Sequence, residues 1–303
     1  MALKILFAGS GEFGGPSLEM LDEAGHEIVH VITQPDRPAG RGRELTWTPI
    51  AGVATKPLGL PVLKTANINE EKLPPADLLV VIAFGQKIAP HVVNQPRLGA
   101  INLHASLLPR YRGAAPINWA IINGERRTGN SVIRLAQRMD AGAILGQSVV
   151  EIGELETAGE LHNRLAIDGA GLLVRLVREI EKGNVVERVQ EENLAVAAPK
   201  LNREAARIDW SGDAEAIARR IRGLFPWPGC RVKVGEKGNL TLMRARAVDR
   251  AGEVGVIGED GTVGAGKGSV EIVEVLPEGK RPMKLSAYRN GHPWEAGMRV
   301  ESL

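Results

Sequence analysis

The sequence contains very little cysteine and no long apolar run. One cysteine, Cys230, stands among the 303 residues, which excludes an intramolecular disulfide and a cysteine-based zinc site. No stretch approaches the ~20 consecutive apolar residues of a membrane span. Residues 1–9 (MALKILFAG) carry no basic region ahead of their apolar run and lead into a glycine turn. We interpret them as a strand rather than a signal peptide, and we expect a cytoplasmic protein without membrane contact.

The chain also has almost no net charge. Its 38 Lys and Arg residues oppose 36 Asp and Glu residues, which gives a formal net charge of +2. Net charge therefore does not indicate whether the partner is a polyanion. The hydrophobic fraction of 44% excludes an intrinsically disordered chain. The length favours two domains, because single cores rarely grow beyond about 250–300 residues.

Apolar runs alternate with amphipathic stretches in the first part of the chain. The runs predict strands buried on both faces at Leu3–Ala8, Glu27–Thr33, Leu78–Phe84 and Ala100–His104. The amphipathic stretches predict helices at Ser17–Ala24, Pro49–Lys56, Gln86–Val93 and Ala115–Ile122. Thr157 and Glu160 form a capping-box pattern that opens a helix ending near Lys182. This alternation predicts an α/β domain with a mostly parallel sheet over residues 1–185.

The pattern changes after residue 185. Residues 186–203 have weak periodicity and are predicted to form a linker. Residues 204–303 contain one helical stretch, Asp213–Gly223, and short apolar runs separated by glycines. The runs are Cys230–Val234, Leu240–Val248, Gly252–Ile257 and Ser269–Leu276. Short strands at such spacing predict a small β-barrel or sandwich.

A glycine motif follows the first predicted strand. Gly9, Gly11 and Gly14 match the G-x-G-x-x-G dinucleotide fingerprint. The acidic residue that should end the second strand is missing, because Asp36 lies beyond Pro35 in a glycine-rich loop. Two interpretations stay open: a nicotinamide site, or a plain turn from strand to helix.

Polar residues that suit acyl transfer lie at the carboxyl end of the fourth predicted strand and beyond it. Asn102 and His104 lie two residues apart at its carboxyl end, so their side chains share a face. An amide can stabilise an oxyanion while an imidazole transfers a proton. Asp140 follows a strand-like run and could fix the histidine tautomer. The alternatives are that the backbone satisfies Asn102 and His104, and that Asp140 is an ordinary turn residue.

The same stretch resembles the folate-dependent formyltransferase family. Residues 102–113 (NLHASLLPRYRG) and the pair Met139-Asp140 carry the resemblance. Residues 33–42 (TQPDRPAGRG), 200–210 (KLNREAARIDW) and 225–229 (FPWPG) are similar to the members that act on methionyl-tRNA. The resemblance implies a Rossmann-like N-terminal domain and an OB-like C-terminal β-barrel that binds tRNA. It covers nearly the whole chain.

The resemblance also implies a reaction and a set of residues. The reaction is formyl transfer from 10-formyltetrahydrofolate to the amino group of methionine on initiator methionyl-tRNA, giving N-formylmethionyl-tRNA for translation initiation. Its catalytic residues would be Asn102 as the oxyanion donor, His104 as the proton acceptor, and Asp140, which orients His104 and holds a water. The folate co-substrate would bind at Ser106, Leu107, Leu108, Pro109, Phe84 and Gly85. No metal is required.

The resemblance implies that the protein binds the acceptor arm of the tRNA. We expect the protein to be a monomer. Arginines on a glycine loop can order against phosphates, which favours Arg37, Arg41 and Arg43. Lys200 and Arg203 would bind the tRNA from the start of the C-terminal part. Other candidate phosphate contacts are Arg207, Arg219, Arg220, Arg222, Arg244 and Arg246. A solvated surface is the alternative at each of these positions.

The sequence departs from the family pattern at two places. Gly11 stands where the family usually has proline. Residues 141–147 (AGAILGQ) lack the second acidic residue that often follows the aspartate. Competing hypotheses are a formyltransferase that acts on a nucleotide sugar or purine intermediate, a tRNA-binding module without activity, and a nicotinamide-dependent oxidoreductase.

Overall fold

The computed structural model describes residues 2–39, 42, 44–235 and 238–303. Contacts between Cα atoms divide the chain into two compact units that interleave along the sequence. The first unit comprises Met1–Gly113, Gly129–Val150 and His162–Ala197; the second comprises Ala114–Thr128, Glu151–Leu161 and Ala198–Leu303. The sequence-based boundaries at 1–185, 186–203 and 204–303 stay a prediction.

The first unit contains a sheet in which parallel pairs dominate. Its elements are β1 (Lys4–Gly9), α1 (Gly15–Glu23), β2 (Glu27–Thr33), β3 (Arg37–Ala39), β4 (Glu44–Thr46), α2 (Pro49–Thr55), β5 (Val62–Lys64), β6 (Leu78–Ile82), α3 (Pro90–Val93), β7 (Ala100–His104), β8 (Arg112–Gly113), most of β9 (Arg127–Arg134) and β10 (Ile144–Glu151), and α5 (Ala158–Lys182) from His162 onward. The helix α4 (Pro116–Ile122) and the first residues of α5 belong to the second unit. The order across the sheet is β10-β9-β7-β6-β1-β2-β5. The pairs of β1 with β2 and β6, of β2 with β5, and of β6 with β7 are parallel, whereas β9 is antiparallel to β7.

Burial explains why these segments form strands. Every residue of β6 is buried, as its unbroken apolar run predicts for a central strand covered on both faces. The predicted helix Gln86–Val93 is wrong over most of its length, because only Pro90–Val93 is helical. Pro90 prevents a helix from running through it, since proline lacks an N–H and disfavours helical geometry at the residue before it.

The second unit contains a nearly closed antiparallel sheet. After β11 (Ala197–Ala198), its elements are α6 (Ala214–Leu224), β12 (Cys230–Val234), β13 (Gly238–Val248), β14 (Val263–Gly264), β15 (Ser269–Pro277), β16 (Met283–Lys284), α7 (Leu285–Tyr288) and β17 (Val300–Ser302). The strand order is β14-β15-β13-β12-β17, and β16 pairs with β15. The expected fold class, a mostly parallel sheet followed by a barrel-like β unit, is confirmed.

The predicted strand Gly252–Ile257 instead forms isolated bridges that close this sheet. Val256 bridges to Arg299 on one side, and Ile257 bridges to Val263 on the other. This segment therefore joins the two ends of the strand order. Glycines at 252 and 255 keep it from forming a regular strand, and Gly255 has a positive φ of 71°.

The glycine motif after β1 is explained by packing. A Cβ at Gly9 would lie 3.0 Å from the carbonyl oxygen of Ile82, and one at Gly14 would lie 3.1 Å from Ile50. Gly9 therefore allows the end of β1 to lie close to β6, and Gly14 allows the short helical turn at Glu12–Gly14 to pack closely against α2. The interpretation as a plain turn from strand to helix accounts for these two glycines.

Two candidate phosphate contacts of the second unit have structural roles. Arg222 is only 9% exposed, and its Nη1 donates to the carbonyl oxygen of Ala245 at 2.7 Å. The prediction for Arg222 is wrong, because this residue lies on the buried face of α6. Arg244 is bound by Glu160 at 2.7 Å and by Glu274 at 2.9 Å.

The capping box at the start of α5 is confirmed, and Arg244 reinforces it. Glu160 accepts hydrogen bonds from the backbone N and the hydroxyl of Thr157, both at 2.9 Å. The hydrogen bond from Arg244, followed by those from Thr157, lowers the pKa of Glu160 from 4.5 to about 2. A depressed carboxyl pKa stabilises the fold above the unfolded-state value, and that contribution disappears as the pH falls from 4.5 towards 2.

We expect Glu160→Gln to lower the free energy of unfolding at pH 7 by about 0.5–1 kcal/mol, since solvent screens the exposed part of the pair. The difference from the wild type should shrink as the pH falls from 4.5 towards 2. Urea unfolding of both proteins at several pH values measures this difference in the free energy of unfolding. Glu278→Gln, at an exposed position, is the control. A difference independent of pH would contradict the assignment.

Candidate active site

Asn102 and His104 lie at the carboxyl end of β7, at the edge where the parallel strands β1, β2 and β6 also end. Strand connections change direction between β6 and β1, and open parallel sheets bind ligands outside such a point. The two side chains share a face of β7, roughly 7 Å apart along the strand. Asn102 is partly exposed, and its amide has no hydrogen-bond partner among the residues described. This amide is therefore free to bind a ligand.

His104 is held by a backbone carbonyl. Its Nε2 lies 2.8 Å from the carbonyl oxygen of Tyr111, and its side chain is 8% exposed. A carbonyl only accepts hydrogen bonds, so this contact assigns the proton to Nε2 and leaves Nδ1 as the acceptor. Nδ1 faces Oδ2 of Asp140 at 3.7 Å. A proton taken up at Nδ1 would therefore lie next to a carboxylate.

Asp140 is fixed in an uncommon backbone conformation. Its φ is +52°, a region that aspartate enters more readily than most residues. Oδ2 accepts a hydrogen bond from the backbone N of Gly113 at 2.9 Å. A Cβ at Gly142 would lie 1.8 Å from the carbonyl oxygen of Arg134, so the turn needs glycine there. The structure thus brings together Asp140 and His104, which are 36 positions apart in the sequence.

The turn after β7 is held by an internal serine. Ser131 is fully buried, and its hydroxyl donates to the carbonyl oxygen of Ser106 at 2.6 Å. The hydroxyl oxygen of Ser131 accepts from Leu108 N at 3.1 Å and from Gln147 Nε2 at 2.9 Å. Ser106 is itself buried and donates to the carbonyl oxygen of Arg110 at 2.7 Å. The turn is therefore rigid, and the hydroxyl of Ser106 is already used.

Of the predicted folate-binding residues in this turn, two offer apolar surface. Leu107 and Pro109 are half-buried, whereas Leu108 is 3% exposed. A rigid turn with two partly exposed apolar side chains can form one wall of a site for a planar ring.

Phe84 and Gly85 lie at the carboxyl end of β6. The ring of Phe84 is 2% exposed, and its carbonyl oxygen accepts from Ser10 Oγ at 3.2 Å and from Gln34 Nε2 at 2.8 Å. Gly85 is exposed, has a φ of +76°, and leaves only 2.5 Å between a hypothetical Cβ and Gln34 Nε2. Backbone, rather than the aromatic ring, is therefore what this stretch can offer a ligand.

The predicted tRNA-binding residues lie in separate parts of the chain. Arg37 opens the β3–β4 hairpin and donates to Gln34 Oε1 at 2.5 Å. Lys200 and Arg203 are exposed in the second unit. Arg41 and Arg43 lie outside the described residues.

Sequence reasoning missed the residues that hold this site together. Ser131 and Gln147 lie in β9 and β10, and Gly113 acts through its backbone N–H. A single serine, glutamine or backbone amide outside any motif gives no signal that can be recognised in one sequence.

Among the described residues, no group of three or more His, Cys, Asp or Glu side chains could hold a metal ion. The absence of a metal requirement stays a prediction. No helix in the described ranges is long and apolar enough to cross a membrane.

Two family models match the chain. The model described as formyl transferase matches residues 3–177, and the formyl transferase C-terminal domain matches residues 200–293. The chain is similar to a methionyl-tRNA formyltransferase of Moorella thermoacetica, with 42% identity over 97% of this chain and 98% of that protein.

Solved structures share the fold at low sequence identity. An N-formyltransferase from Helicobacter canadensis in complex with folinic acid and dTDP-3-aminofucose gives a TM-score of 0.66 at 16% identity, over 91% of this chain and 99% of that one. HypX from Aquifex aeolicus in complex with tetrahydrofolic acid gives a TM-score of 0.63 at 20% identity. That match covers 96% of this chain and 47% of HypX.

We expect Ser131→Ala to lower the free energy of unfolding by about 1–3 kcal/mol, because it leaves buried polar groups of the turn without a partner. Urea unfolding measures the change. Ser286→Ala, at an exposed position in α7, provides the matched control. Equal stabilities of the two variants would show that Ser131 does not support the turn.

Proposed function

The chain belongs to the formyl transferase family, and on this premise we propose that it transfers a formyl group from 10-formyltetrahydrofolate to the amino group of methionine on initiator methionyl-tRNA. The product is N-formylmethionyl-tRNA, which serves translation initiation. The observation that carries this proposal is the free amide of Asn102 beside an imidazole whose acceptor nitrogen faces Asp140 at 3.7 Å.

His104 accepts the proton that the attacking amine must lose. The amine attacks the formyl carbon with its lone pair, so its nitrogen has to be deprotonated as the new C–N bond forms. Nδ1 of His104 is the basic atom, because Nε2 donates to the carbonyl oxygen of Tyr111. The proton reaches Nδ1 directly or through a water, and the negative charge of Asp140 stabilises the resulting imidazolium. When the tetrahedral intermediate collapses, the bond from the formyl carbon to N10 of the folate breaks, and the imidazolium returns its proton to that leaving nitrogen.

Asn102 stabilises the charge that develops on the formyl oxygen. The oxygen becomes negative while the amine attacks, and a donor already in place lowers the barrier without reorganising. The amide of Asn102 is not used by any described residue, so its N–H groups can point to that oxygen. Removal of one such donor costs about 10²–10³-fold in turnover.

The residues at the strand ends fit a folate co-substrate, which supplies the activated formyl group. Leu107 and Pro109 provide apolar surface on a rigid turn, and Gly85 exposes backbone on the neighbouring strand end. Ser106, Leu108 and Phe84 hold these surfaces in place from the buried side. The catalytic residues lie within residues 1–185, the predicted catalytic domain.

Binding of the tRNA involves arginines and lysines in two regions of the sequence. Arg37, Arg41 and Arg43 meet the acceptor arm, and Lys200 and Arg203 bind phosphates from the C-terminal part. The exposure of Arg37, Lys200 and Arg203 supports this assignment. We place the protein in the cytoplasm as a monomer, where its partner tRNA is charged and used.

The decisive assay incubates the protein with 10-formyltetrahydrofolate and charged initiator methionyl-tRNA and follows formyl-methionine. We expect His104→Ala to lower kcat by about 10²–10⁴-fold and Asn102→Ala by about 10²–10³-fold. The KM for the folate should change little, because neither residue is its main contact. The control is His91→Ala, at an exposed position. Turnover unaffected by His104→Ala would overturn the assignment of the base.

A nucleotide-sugar substrate is the rival that the same assay addresses. The Helicobacter canadensis structure contains dTDP-3-aminofucose, so this compound replaces the tRNA in a parallel reaction. Formylation of the tRNA alone supports the proposal, whereas equal or greater activity on the amino sugar contradicts it.

We expect Arg203→Ala to raise the KM for methionyl-tRNA and to reduce the slope of log KM against log salt by about 1, because it removes one phosphate contact. Steady-state kinetics over a series of salt concentrations measure both quantities. Lys72→Ala, which also removes an exposed cation, is the control. An unchanged slope would remove Arg203 from the tRNA-binding surface.

A further inference from the structure

The segment predicted to be a linker contains one buried polar side chain. Among the described residues 182–197, Gln190 alone is buried, with 6% of its surface exposed. Its neighbours Val189 and Glu191 are exposed. A long polar side chain loses conformational entropy and hydration on burial, so its burial requires compensating hydrogen bonds.

Gln190 makes those hydrogen bonds to the turn that contains Asp140. Its Nε2 donates to the carbonyl oxygen of Asp140 at 2.7 Å and to that of Gly142 at 2.8 Å. Its Oε1 accepts from Arg112 Nη2 at 2.7 Å and from Arg112 Nε at 3.0 Å. All the hydrogen-bonding capacity of the amide is therefore used.

These contacts close a ring around Asp140. Gln190 binds the main chain of Asp140, and Arg112 binds Gln190. Gly113, the residue after Arg112, donates its backbone N–H to the Asp140 carboxylate. The carboxylate and the carbonyl of Asp140 are thus both tied to β8, one directly and the other through Gln190. A closed ring fixes position and orientation together, which a single hydrogen bond does not.

The same short stretch positions His104. Tyr111 accepts the Nε2 proton of His104 through its carbonyl oxygen, and it directly precedes Arg112. Displacement of Arg112 and Gly113 would therefore change both contacts that define the separation of Nδ1 from the Asp140 carboxylate.

Residues on either side hold Gln190 in register. Arg188 pairs with Ile144 through backbone hydrogen bonds of 2.8 and 2.9 Å in both directions. Glu192 accepts from both terminal nitrogens of Arg112, at 2.9 and 3.0 Å. The side chains of Gln190 and Glu192, two positions apart, thus both face Arg112, as alternate side chains of an extended strand do.

We propose that Gln190 is a positioning residue for the catalytic pair His104 and Asp140, so that the predicted linker is part of the catalytic centre. The inference deepens the proposed function and depends on it for its kinetic consequences. Gln190 supports the turn that contains Asp140 through hydrogen bonds to the carbonyl oxygens of Asp140 and Gly142.

Gln190→Glu is the sharpest test, because it keeps the shape and the acceptor for Arg112 but loses both N–H donors. The carbonyl oxygens of Asp140 and Gly142 would then face an oxygen. We expect kcat to fall about 10–100-fold, since a misplacement of about 1 Å can cost 10²-fold. The KM for each substrate should stay within about twofold, because the amide of Gln190 is fully used by Arg112 and by the turn that contains Asp140. Gln190→Met, which is neutral, should lower kcat as well.

The control is Glu191→Gln on the adjacent exposed position, which should leave kcat unchanged. Thermal unfolding tells whether each variant is folded at the assay temperature. Wild-type kcat in a folded Gln190→Glu protein, or a loss confined to KM, would overturn the proposal.

A second readout is independent of turnover. With ¹⁵N-labelled histidine, the imidazole signals of His104, assigned by their loss in His104→Ala, report its tautomer and surroundings. We expect the Nε2–H tautomer in the wild type and a displaced signal in Gln190→Glu. Unchanged signals would overturn the positioning role. If the wild type does not formylate methionyl-tRNA, the proposed function fails, and the signals alone then decide whether Gln190 positions His104.

Discussion

The hydrogen bond from the Gly113 backbone N–H to the Asp140 carboxylate, 2.9 Å long, is the contact on which the site depends. It joins β8 to the turn after β9 and holds the carboxylate against Nδ1 of His104. A backbone donor cannot rotate away as a side chain can, so it fixes the carboxylate at little entropic cost. Asp140 accepts this hydrogen bond in a backbone conformation with a φ of +52°.

The parallel sheet supplies the framework for this contact. Strands β1, β6 and β7 are buried and bring their carboxyl ends to one edge. Ser131 in β9 then holds the turn after β7 through a hydroxyl that binds Ser106 and Leu108. The polar side chains of the site thus stand on elements whose stability comes from apolar burial elsewhere.

Inside the second unit, arginines divide into two groups with different physical roles. Arg222 and Arg244 are tied to carbonyl or carboxylate oxygens and stabilise the fold. Arg203 and Arg207 are exposed and suit a phosphate partner. Net charge does not separate these groups, which is why the formal charge of +2 says so little about a tRNA partner. The affinity for a polyanion depends on how many arginine and lysine side chains are not already paired with a carboxylate of the protein itself.

The sequence by itself determined the buried strands, the capping box at Thr157 and Glu160, and the triad of Asn102, His104 and Asp140 as candidates. These features are local, or they resemble a known family over long motifs. Only the tertiary structure decided the closure of the second sheet by residues 254–257 and the burial of Gln190. The physical reason is that a polar side chain in an aperiodic segment carries no burial signal of its own. Its role depends on the backbone carbonyls and the guanidinium that folding brings to it.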